Sequence, residues 1–209
     1  MDNLTKETIK AYKDTAIAYI KNSFSFMLGQ HMKIFYKYCK QGGLVLDLAC
    51  GPGASAKILT EAKYKVIGVD LCSVFLEEAK KRVPKAKFLD MDIRKLEFPD
   101  NKFDAVFARG SHVHLQRKEV LPSLREAHRV LKKGGLFYFA VKLGKDEDND
   151  GWFTDARYDN VKKWFLYFSN GEIKKLVVKA GFEVKEELIA MHEIKHDTHE
   201  WINIYAIKK

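Results

Sequence analysis

The hydrophobic positions of the chain fall into two alternating patterns. Short, continuous apolar runs are typical of strands buried on both faces, whereas apolar residues spaced three and four apart are typical of amphipathic helices. The strand-like runs are residues 44–48, 65–70, 87–93, 103–108, 136–141, 187–190 and 200–206, and the helical segments are residues 3–22, 24–40, 54–62, 73–83, 119–132 and 169–179. Because the two kinds of segment largely alternate, the pattern predicts an α/β fold with a doubly wound sheet.

Two helical patterns precede the first strand. In residues 3–22, Tyr12, Ala16 and Tyr19 recur at helical spacing, and a second amphipathic pattern covers residues 24–40. We interpret residues 1–41 as a helical cap on a core formed by residues 42–209, within a single domain of 209 residues. Two interpretations remain open for Tyr12 and Tyr19, which either close over a bound cofactor or substrate, or pack on the sheet as an apolar stripe.

A glycine-rich turn follows the first strand. The apolar run carries Asp47 and is followed by Ala49, Gly51 and Gly53, and then by a helical segment. This order of strand, glycine turn and helix begins a βαβ unit that binds a nucleotide-like cofactor. Asp70 ends the next strand, where a carboxylate can accept hydrogen bonds from both hydroxyls of a ribose.

Asp47 discriminates between cofactors. A carboxylate just before the glycines would repel a pyrophosphate, whereas it would favour a ligand with a sulfonium or ammonium centre. The dinucleotide fingerprint Gly-x-Gly-x-x-Gly is also incomplete, because its last position is Ala56. Both observations count against a nicotinamide-dependent oxidoreductase, which stays open as an alternative, as does a protein that binds the cofactor without catalysis.

Residues 47–53 resemble motif I of the class I S-adenosylmethionine-dependent methyltransferases, Asp-x-x-x-Gly-x-Gly. The resemblance continues in residues 92–104, in the turn at residues 129–135 and in the Ala-Gly-Phe-Glu-Val sequence at residues 180–184. It implies a Rossmann-like sheet of about seven mostly parallel strands with an antiparallel last strand. It also implies an enzyme that transfers a methyl group from S-adenosyl-L-methionine to an oxygen or nitrogen nucleophile, leaving S-adenosyl-L-homocysteine.

The resemblance also implies which residues bind the cofactor. Leu71 would pack against the adenine ring, Asp92 would accept from the adenine amino group, and the backbone amide of Ile93 would contact the ring, with Asp90 as the rival of Asp92. The candidate cofactor-binding residues are Asp47, Ala49, Gly51, Gly53, Asp70, Leu71, Asp92, Ile93 and Arg109. Arg109 would contact the methionine part of the cofactor mainly through its backbone, and the alternative is that its side chain binds an acidic substrate.

Two histidines follow the fourth strand, at the sheet edge where ligands of open α/β sheets bind. The family often has a Leu-His pair here, which Val113 and His114 match, and His112 is additional. His114 or His112 could take a proton from the attacking atom. The alternative is that His114 only forms a hydrogen bond with loop backbone.

An aromatic-rich segment, residues 144–168, follows the fifth strand, and we interpret it as an insertion on the substrate side. Arg157, Tyr158 and Trp164 are its substrate-contact candidates, and a small satellite core is the alternative. Downstream, residues 192–196 match the zinc-protease pattern His-Glu-x-x-His. That site requires a helix, whereas the flanking segments are strand-like, so a hairpin loop without a metal is favoured.

Composition adds the cellular setting and the class of partner. No apolar run approaches the ~18 residues of a membrane-spanning helix, and residues 1–7 lack the apolar core of a signal peptide. Three cysteines without a Cys-x-x-Cys pair favour a reducing cytoplasm. The net charge of +9 is compatible with tRNA, but the lysines are scattered, as on a solvated surface. A small-molecule acceptor is therefore expected, with tRNA as the alternative.

Overall fold

The computed structural model describes residues 1–24, 29–144, 150–155, 158, 160–191 and 200–209. The strands are β1 (Leu44–Leu48), β2 (Lys65–Asp70), β3 (Lys87–Asp90), β4 (Phe103–Arg109), β5 (Leu131–Lys142), β6 (Gly151–Asp155), β7 (Val161–Phe165), β8 (Phe182–Met191) and β9 (Glu200–Lys208). The helices are α1 (Asn3–Asp14), α2 (Ala16–Ser23), α3 (Gly29–Tyr38), α4 (Ala54–Glu61), α5 (Ser73–Arg82), α6 (Arg117–Val130) and α7 (Asn170–Lys179), with a 3₁₀ turn at His112–His114.

Seven strands form one sheet in the order β3-β2-β1-β4-β5-β9-β8. Strands β1 to β5 pair in parallel, and β9 is antiparallel to both β5 and β8. The expected doubly wound, mostly parallel sheet with an antiparallel last strand is therefore confirmed. The strand order reverses between β1 and β4, and the loops that follow these strands leave a crevice at that switch point.

The apolar strands separate two hydrophobic layers. Along β4 and β5, Val106 and Phe137 belong to the layer on one face, whereas Phe107 and Tyr138 belong to the layer on the other. Adjacent residues thus point to opposite cores, as the period of two in a strand requires. Burial on both faces explains why the sequence pattern is continuous rather than alternating.

The N-terminal helical segment differs from the pattern. It breaks at Thr15, whose backbone leaves the helical region and whose hydroxyl donates to the Ala11 carbonyl at 2.8 Å. The segment therefore forms two helices, α1 and α2, rather than one. The next helix, α3, is shorter than expected, and residues 25–28 of the predicted segment lie outside the described residues.

Strands β6 and β7 form an antiparallel hairpin apart from the main sheet. The hairpin is attached to the 3₁₀ turn, because the Leu166 amide donates to the Val113 carbonyl at 2.7 Å and Trp164 Nε1 donates to the Leu115 carbonyl at 3.2 Å. The aromatic segment therefore lies against the histidines. Throughout the described part of the chain, each helix is too short or too polar to cross a bilayer.

Candidate active site

A cavity opens at the C-terminal ends of β1, β2 and β4, beneath α1 and α2. Eight of the sequence-predicted residues that line it come from strand ends or the loops after them, and three come from the cap or the hairpin. The sequence-predicted residues that line it are Ala49, Gly51, Asp70, Leu71, Asp92, Ile93, Arg109, His114, Tyr12, Tyr19 and Tyr158. Four others, Asp47, Gly53, His112 and Trp164, are not among the lining residues. Arg157 and the His-Glu-x-x-His segment at residues 192–196 lie outside the described residues.

The turn after β1 requires an unusual backbone. Ala49, Gly51 and Gly53 all have positive φ, at 51°, 53° and 90°. A Cβ at Gly51 would meet only the Tyr19 ring, at 3.8 Å, whereas a Cβ at Gly53 would lie 3.1 Å from Cβ of Ala79. Gly51 therefore leaves backbone open towards the cavity, and Gly53 allows α5 to pack closely on the start of α4.

Asp70 joins the two loops that frame the cavity. Its Oδ2 accepts a hydrogen bond from the Gly51 amide and its Oδ1 accepts one from the Cys72 amide, both at 2.8 Å. Burial raises the pKa of Asp70, and the hydrogen bonds from backbone amides oppose this effect. Each carboxylate oxygen can still accept a second hydrogen bond, so Asp70 can hold the turn and a ligand hydroxyl together.

Asp47 lies behind the glycine turn and is only 2% exposed. Burial, reinforced by the charge of Asp70, raises its pKa to about 8, while Arg109 and the Ala56 amide act in the opposite direction. Among the described residues, nothing forms a hydrogen bond with Asp47 Oδ2. An acid in this environment gains from a cation nearby, because a positive charge offsets its lost hydration.

Asp92 lines the cavity and is held by Arg94, a residue that the sequence did not single out. Arg94 Nη2 lies 2.6 Å from Asp92 Oδ2, and its Nη1 donates to Asp2 Oδ2 and to Glu119 Oε1, each at 2.8 Å. Asp2 also caps the N-terminus of α1 through the Thr5 amide. One guanidinium thus connects the cap, the proposed adenine acid and the start of α6. The rival Asp90 is exposed and does not line the cavity.

His114 is paired at both ring nitrogens. Nδ1 lies 2.6 Å from the Trp164 carbonyl oxygen, and Nε2 lies 2.6 Å from the Tyr12 hydroxyl. Since a carbonyl oxygen only accepts, Nδ1 carries the proton and Nε2 accepts from Tyr12. Burial, with the charges of Lys163 and Lys142, lowers the pKa of His114 to about 4, so the ring is neutral near pH 7.

His112 faces the core rather than the cavity. It is 0% exposed, its Nδ1 lies 2.7 Å from the Ser111 hydroxyl, and its ring meets the Phe139 ring edge-on. Burial lowers its pKa to about 3. Its position behind the cavity wall favours packing over proton transfer.

Lys163 is a further residue that the sequence did not indicate. It is 0% exposed, and its Nζ lies 4.3 Å from the centre of the Tyr12 ring and 4.1 Å from the centre of the Tyr158 ring. Asp155 Oδ2, on the partner strand of the hairpin, is 3.5 Å away. Lys162 and Lys163 are identical in type, and only the register of the hairpin decides that Lys163 faces inward.

Aromatic rings close the cavity from above. Tyr19 stacks on Phe75 at 4.9 Å and lies 5.3 Å from Tyr158, and Tyr12 meets Tyr19 edge-on at 5.2 Å. Phe165 and Trp201 add two more rings to the wall. The cap and the hairpin therefore enclose a largely apolar space next to the acidic loops.

Comparison with known proteins agrees with this arrangement. A family profile described as a methyltransferase domain matches residues 46–139. An uncharacterized methyltransferase from Synechocystis sp. is 32% identical over 68% of this chain and 68% of its own length. A 2-phytyl-1,4-naphtoquinone methyltransferase from Nostoc punctiforme is 34% identical over 63% of this chain and 62% of its own length. The chain spans about half the length of several other curated relatives that it matches.

The fold has a close match among solved structures. A SAM-dependent methyltransferase from Methanosarcina mazei superimposes with a TM-score of 0.76, covering 84% of this chain and 96% of that one at 21% identity. The sheet order, the glycine turn at the switch point and the relatives lead to the same assignment. The chain belongs to the class I S-adenosyl-L-methionine-dependent methyltransferase family.

Proposed function

We propose that this protein transfers a methyl group from S-adenosyl-L-methionine to a small-molecule acceptor. The observation that carries the proposal is the position of Asp70, which bridges the amides of Gly51 and Cys72 at the mouth of the cavity, with the buried Asp47 behind the turn. A bound donor of this kind supplies a methyl carbon already activated by a positive sulfur. The protein then has to bind, orient and enclose the reactants.

The acidic residues fit the parts of such a donor. Asp70 would accept from the ribose hydroxyls, and Asp92 would accept from the adenine amino group between Leu71 and Ile93. Asp47 would complement the positive end of the donor, together with the backbone of Ala49 and Gly51. The donor also carries a carboxylate, which Asp47 would repel. The positive charge of Arg109 lies near Asp47 and would offset this repulsion.

The walls support a small, partly apolar acceptor. Tyr12, Tyr158, Phe165 and Trp201 line the part of the cavity that faces the cap and hairpin. Rings arranged around an enclosed space suit a planar or apolar molecule. The relative that is 34% identical is named for a naphthoquinone, which is such a molecule. The tRNA alternative depends on the net charge of +9 alone.

Calorimetry with S-adenosyl-L-homocysteine and, separately, NADH tests the cofactor. We expect S-adenosyl-L-homocysteine to bind and NADH not to bind, because the carboxylate of Asp47 behind the glycine turn would repel the pyrophosphate of NADH. Binding of NADH in place of S-adenosyl-L-homocysteine would overturn the assignment in favour of an oxidoreductase.

A second experiment tests the acceptor, in which labelled methyl donor is mixed with a cell metabolite extract or with total tRNA. We expect the label to be transferred to a metabolite of the extract and not to tRNA. A protein that binds the donor but transfers no label to either would be non-catalytic.

A further inference from the structure

Tyr12 connects the cap to the 3₁₀ turn after β4. Its hydroxyl lies 2.6 Å from His114 Nε2, and its ring meets the His114 ring edge-on with centres 5.2 Å apart. Both residues line the cavity. Resting on the proposed function, we propose that Tyr12 is the catalytic residue that takes the proton of a hydroxyl acceptor, with His114 as its relay and Lys163 as a positioning residue.

The hydrogen bonds set the direction of the relay. His114 Nδ1–H donates to the Trp164 carbonyl, so Nε2 presents its lone pair to the Tyr12 hydroxyl. Both ring nitrogens of His114 thereby have a partner, and its basic nitrogen is reached through the Tyr12 hydroxyl. A phenol oxygen that donates one hydrogen bond keeps the capacity to accept another, so Tyr12 Oη can accept from the acceptor hydroxyl.

The proton and electron balance is complete within the site. The acceptor oxygen forms a bond to the methyl carbon while the bond from that carbon to sulfur breaks, and its electron pair stays on sulfur. The acceptor's proton moves to Tyr12 Oη as the Tyr12 proton moves to His114 Nε2. One positive charge is lost at sulfur and one is gained on the imidazole ring, which then releases its proton to solvent.

The presence of a proton relay favours an oxygen nucleophile, which must lose its proton to give a neutral product, and the weak basicity of His114 is compatible with this choice. Its neutral ring is a poor base, because burial and two lysines disfavour the imidazolium. An oxygen that has just gained a third bond is a strong acid and gives up its proton even to such a base. A methylated amine holds its proton far more tightly. The relay therefore fits an alcohol, phenol or enol rather than an amine.

Lys163 holds the Tyr12 ring in place. Its ammonium lies between the faces of Tyr12 and Tyr158, at 4.3 Å and 4.1 Å from their centres, with Asp155 at 3.5 Å. A cation on the face of a phenol ring stabilises negative charge on its oxygen. Within the part of the chain that the structure describes, the charged groups that act on His114 are Lys163 and Asp155 from the hairpin and Lys142 from β5.

Nitrogen NMR of the imidazole rings tests the relay without any acceptor. A difference spectrum between the protein and its His114→Asn variant assigns His114 among the seven histidines. Between about pH 6 and pH 9 we expect His114 to be neutral and protonated at Nδ1. In the Tyr12→Phe variant, only the Nε2 signal of His114 should shift, because that nitrogen loses its hydrogen-bond donor. An Nε2-protonated ring, or a ring that titrates near its ordinary pKa, would overturn the relay.

Transfer of labelled methyl groups to the metabolite extract tests the chemistry. Tyr12→Phe keeps the ring but removes the hydroxyl, so we expect a rate loss of about 100-fold or more with unchanged binding of S-adenosyl-L-homocysteine. Lys163→Met should move the acidic limb of the rate profile to higher pH, because a lost positive charge raises the pKa of His114. The exposed neighbour Lys162→Met is the matched control and should leave the profile unchanged.

The outcomes separate the relay from the proposed function. A protein that binds S-adenosyl-L-homocysteine but keeps its full rate in Tyr12→Phe contradicts the relay alone. A protein that binds no S-adenosyl-L-homocysteine contradicts the proposed function and the relay together.

Discussion

Asp47 shows at the residue scale how a binding site can oppose stability. The acid is buried beside Asp70, and the proposed donor would bring a positive charge close to both. In the free protein its pKa of about 8 lies above the ordinary value of 3.8. The folded state therefore binds more protons than the unfolded state between these two values, and the contribution of Asp47 to stability falls as pH rises through that window.

Asp47→Asn is expected to stabilise the free protein while weakening donor binding. The variant has no carboxylate to ionise, so its advantage in melting temperature should be small at pH 4 and reach about 3 °C or more at pH 8. Thermal unfolding measured across this range is the check, with exposed Asp90→Asn as the control. A melting temperature that is lower than wild type at pH 8 would contradict the high pKa.

Asp70→Ala is expected to weaken binding of S-adenosyl-L-homocysteine by about 10- to 100-fold, since hydrogen bonds to a charged acceptor contribute about 1.5–3 kcal/mol. The change removes the ribose acceptor and also releases the Gly51 and Cys72 amides. Titration calorimetry measures the effect. Asp90→Ala is the control, because Asp90 is the neighbour of Asp70 on β3, and this variant should bind S-adenosyl-L-homocysteine like wild type. Equal affinities of the wild type and both variants would refute the role of Asp70.

At the scale of elements, α1 covers the cavity and also contributes residues that line it. It is fixed at its start by Asp2, which accepts from the Thr5 amide and pairs with Arg94. It is fixed further along by the hydrogen bond between Tyr12 and His114. Because Arg94 also holds Asp92 and Glu119, docking of the helix and the shape of the proposed adenine site are coupled.

Arg94→Met is expected to loosen α1 without disturbing the sheet. Three carboxylates lose their common partner, so the amides of α1 should exchange with deuterium about 10-fold faster or more, while those of β4 and β5 keep their protection. Hydrogen exchange followed by mass spectrometry gives this resolution. Lys80→Met removes an exposed pair with Glu77 within α5 and should not affect α1. Unchanged exchange in α1 would show that Arg94 does not hold it.

At the scale of the whole molecule, β9 joins two parts of the sheet. It lies between β5 and β8 and runs antiparallel to both, so the C-terminal strand closes the core on β5. Its buried Asn203 accepts from the Tyr138 hydroxyl at 2.8 Å and donates to the Leu188 carbonyl at 3.1 Å. A polar residue thus pairs with β5 and β8 from the middle of an apolar strand.

Tyr138→Phe is expected to lower the free energy of unfolding by about 1–3 kcal/mol, because the Asn203 oxygen loses its donor inside the core. Urea denaturation should show an earlier midpoint with an unchanged slope. Tyr36→Phe removes a hydroxyl from a half-exposed ring on α3 and is the control. A loss no larger than the control's would mean that the hydrogen bond adds nothing to stability.

The local patterns of the sequence predicted the sheet and the glycine turn, since continuous apolar runs and glycines act over a few residues. They also placed Asp70, Asp92 and His114 at the sheet edge, where the structure brings them together around one cavity. The pairings across the site were not predictable in this way. Tyr12 meets His114 across 102 positions and Arg94 meets Asp2 across 92, and such contacts depend on the finished fold.

The part of the chain that matches the methyltransferase profile excludes both the cap and the hairpin. It covers residues 46–139, whereas Tyr12 belongs to α1, and Tyr158 and Lys163 belong to the hairpin region. The proposed donor-binding loops and most of the proposed acceptor walls therefore lie on separate stretches of chain, which meet through contacts such as the Tyr12–His114 hydrogen bond and the stacking of Tyr19 on Phe75. Chimeras that carry the cap and hairpin of a relative on this sheet should keep this protein's affinity for the donor and show the relative's acceptor specificity.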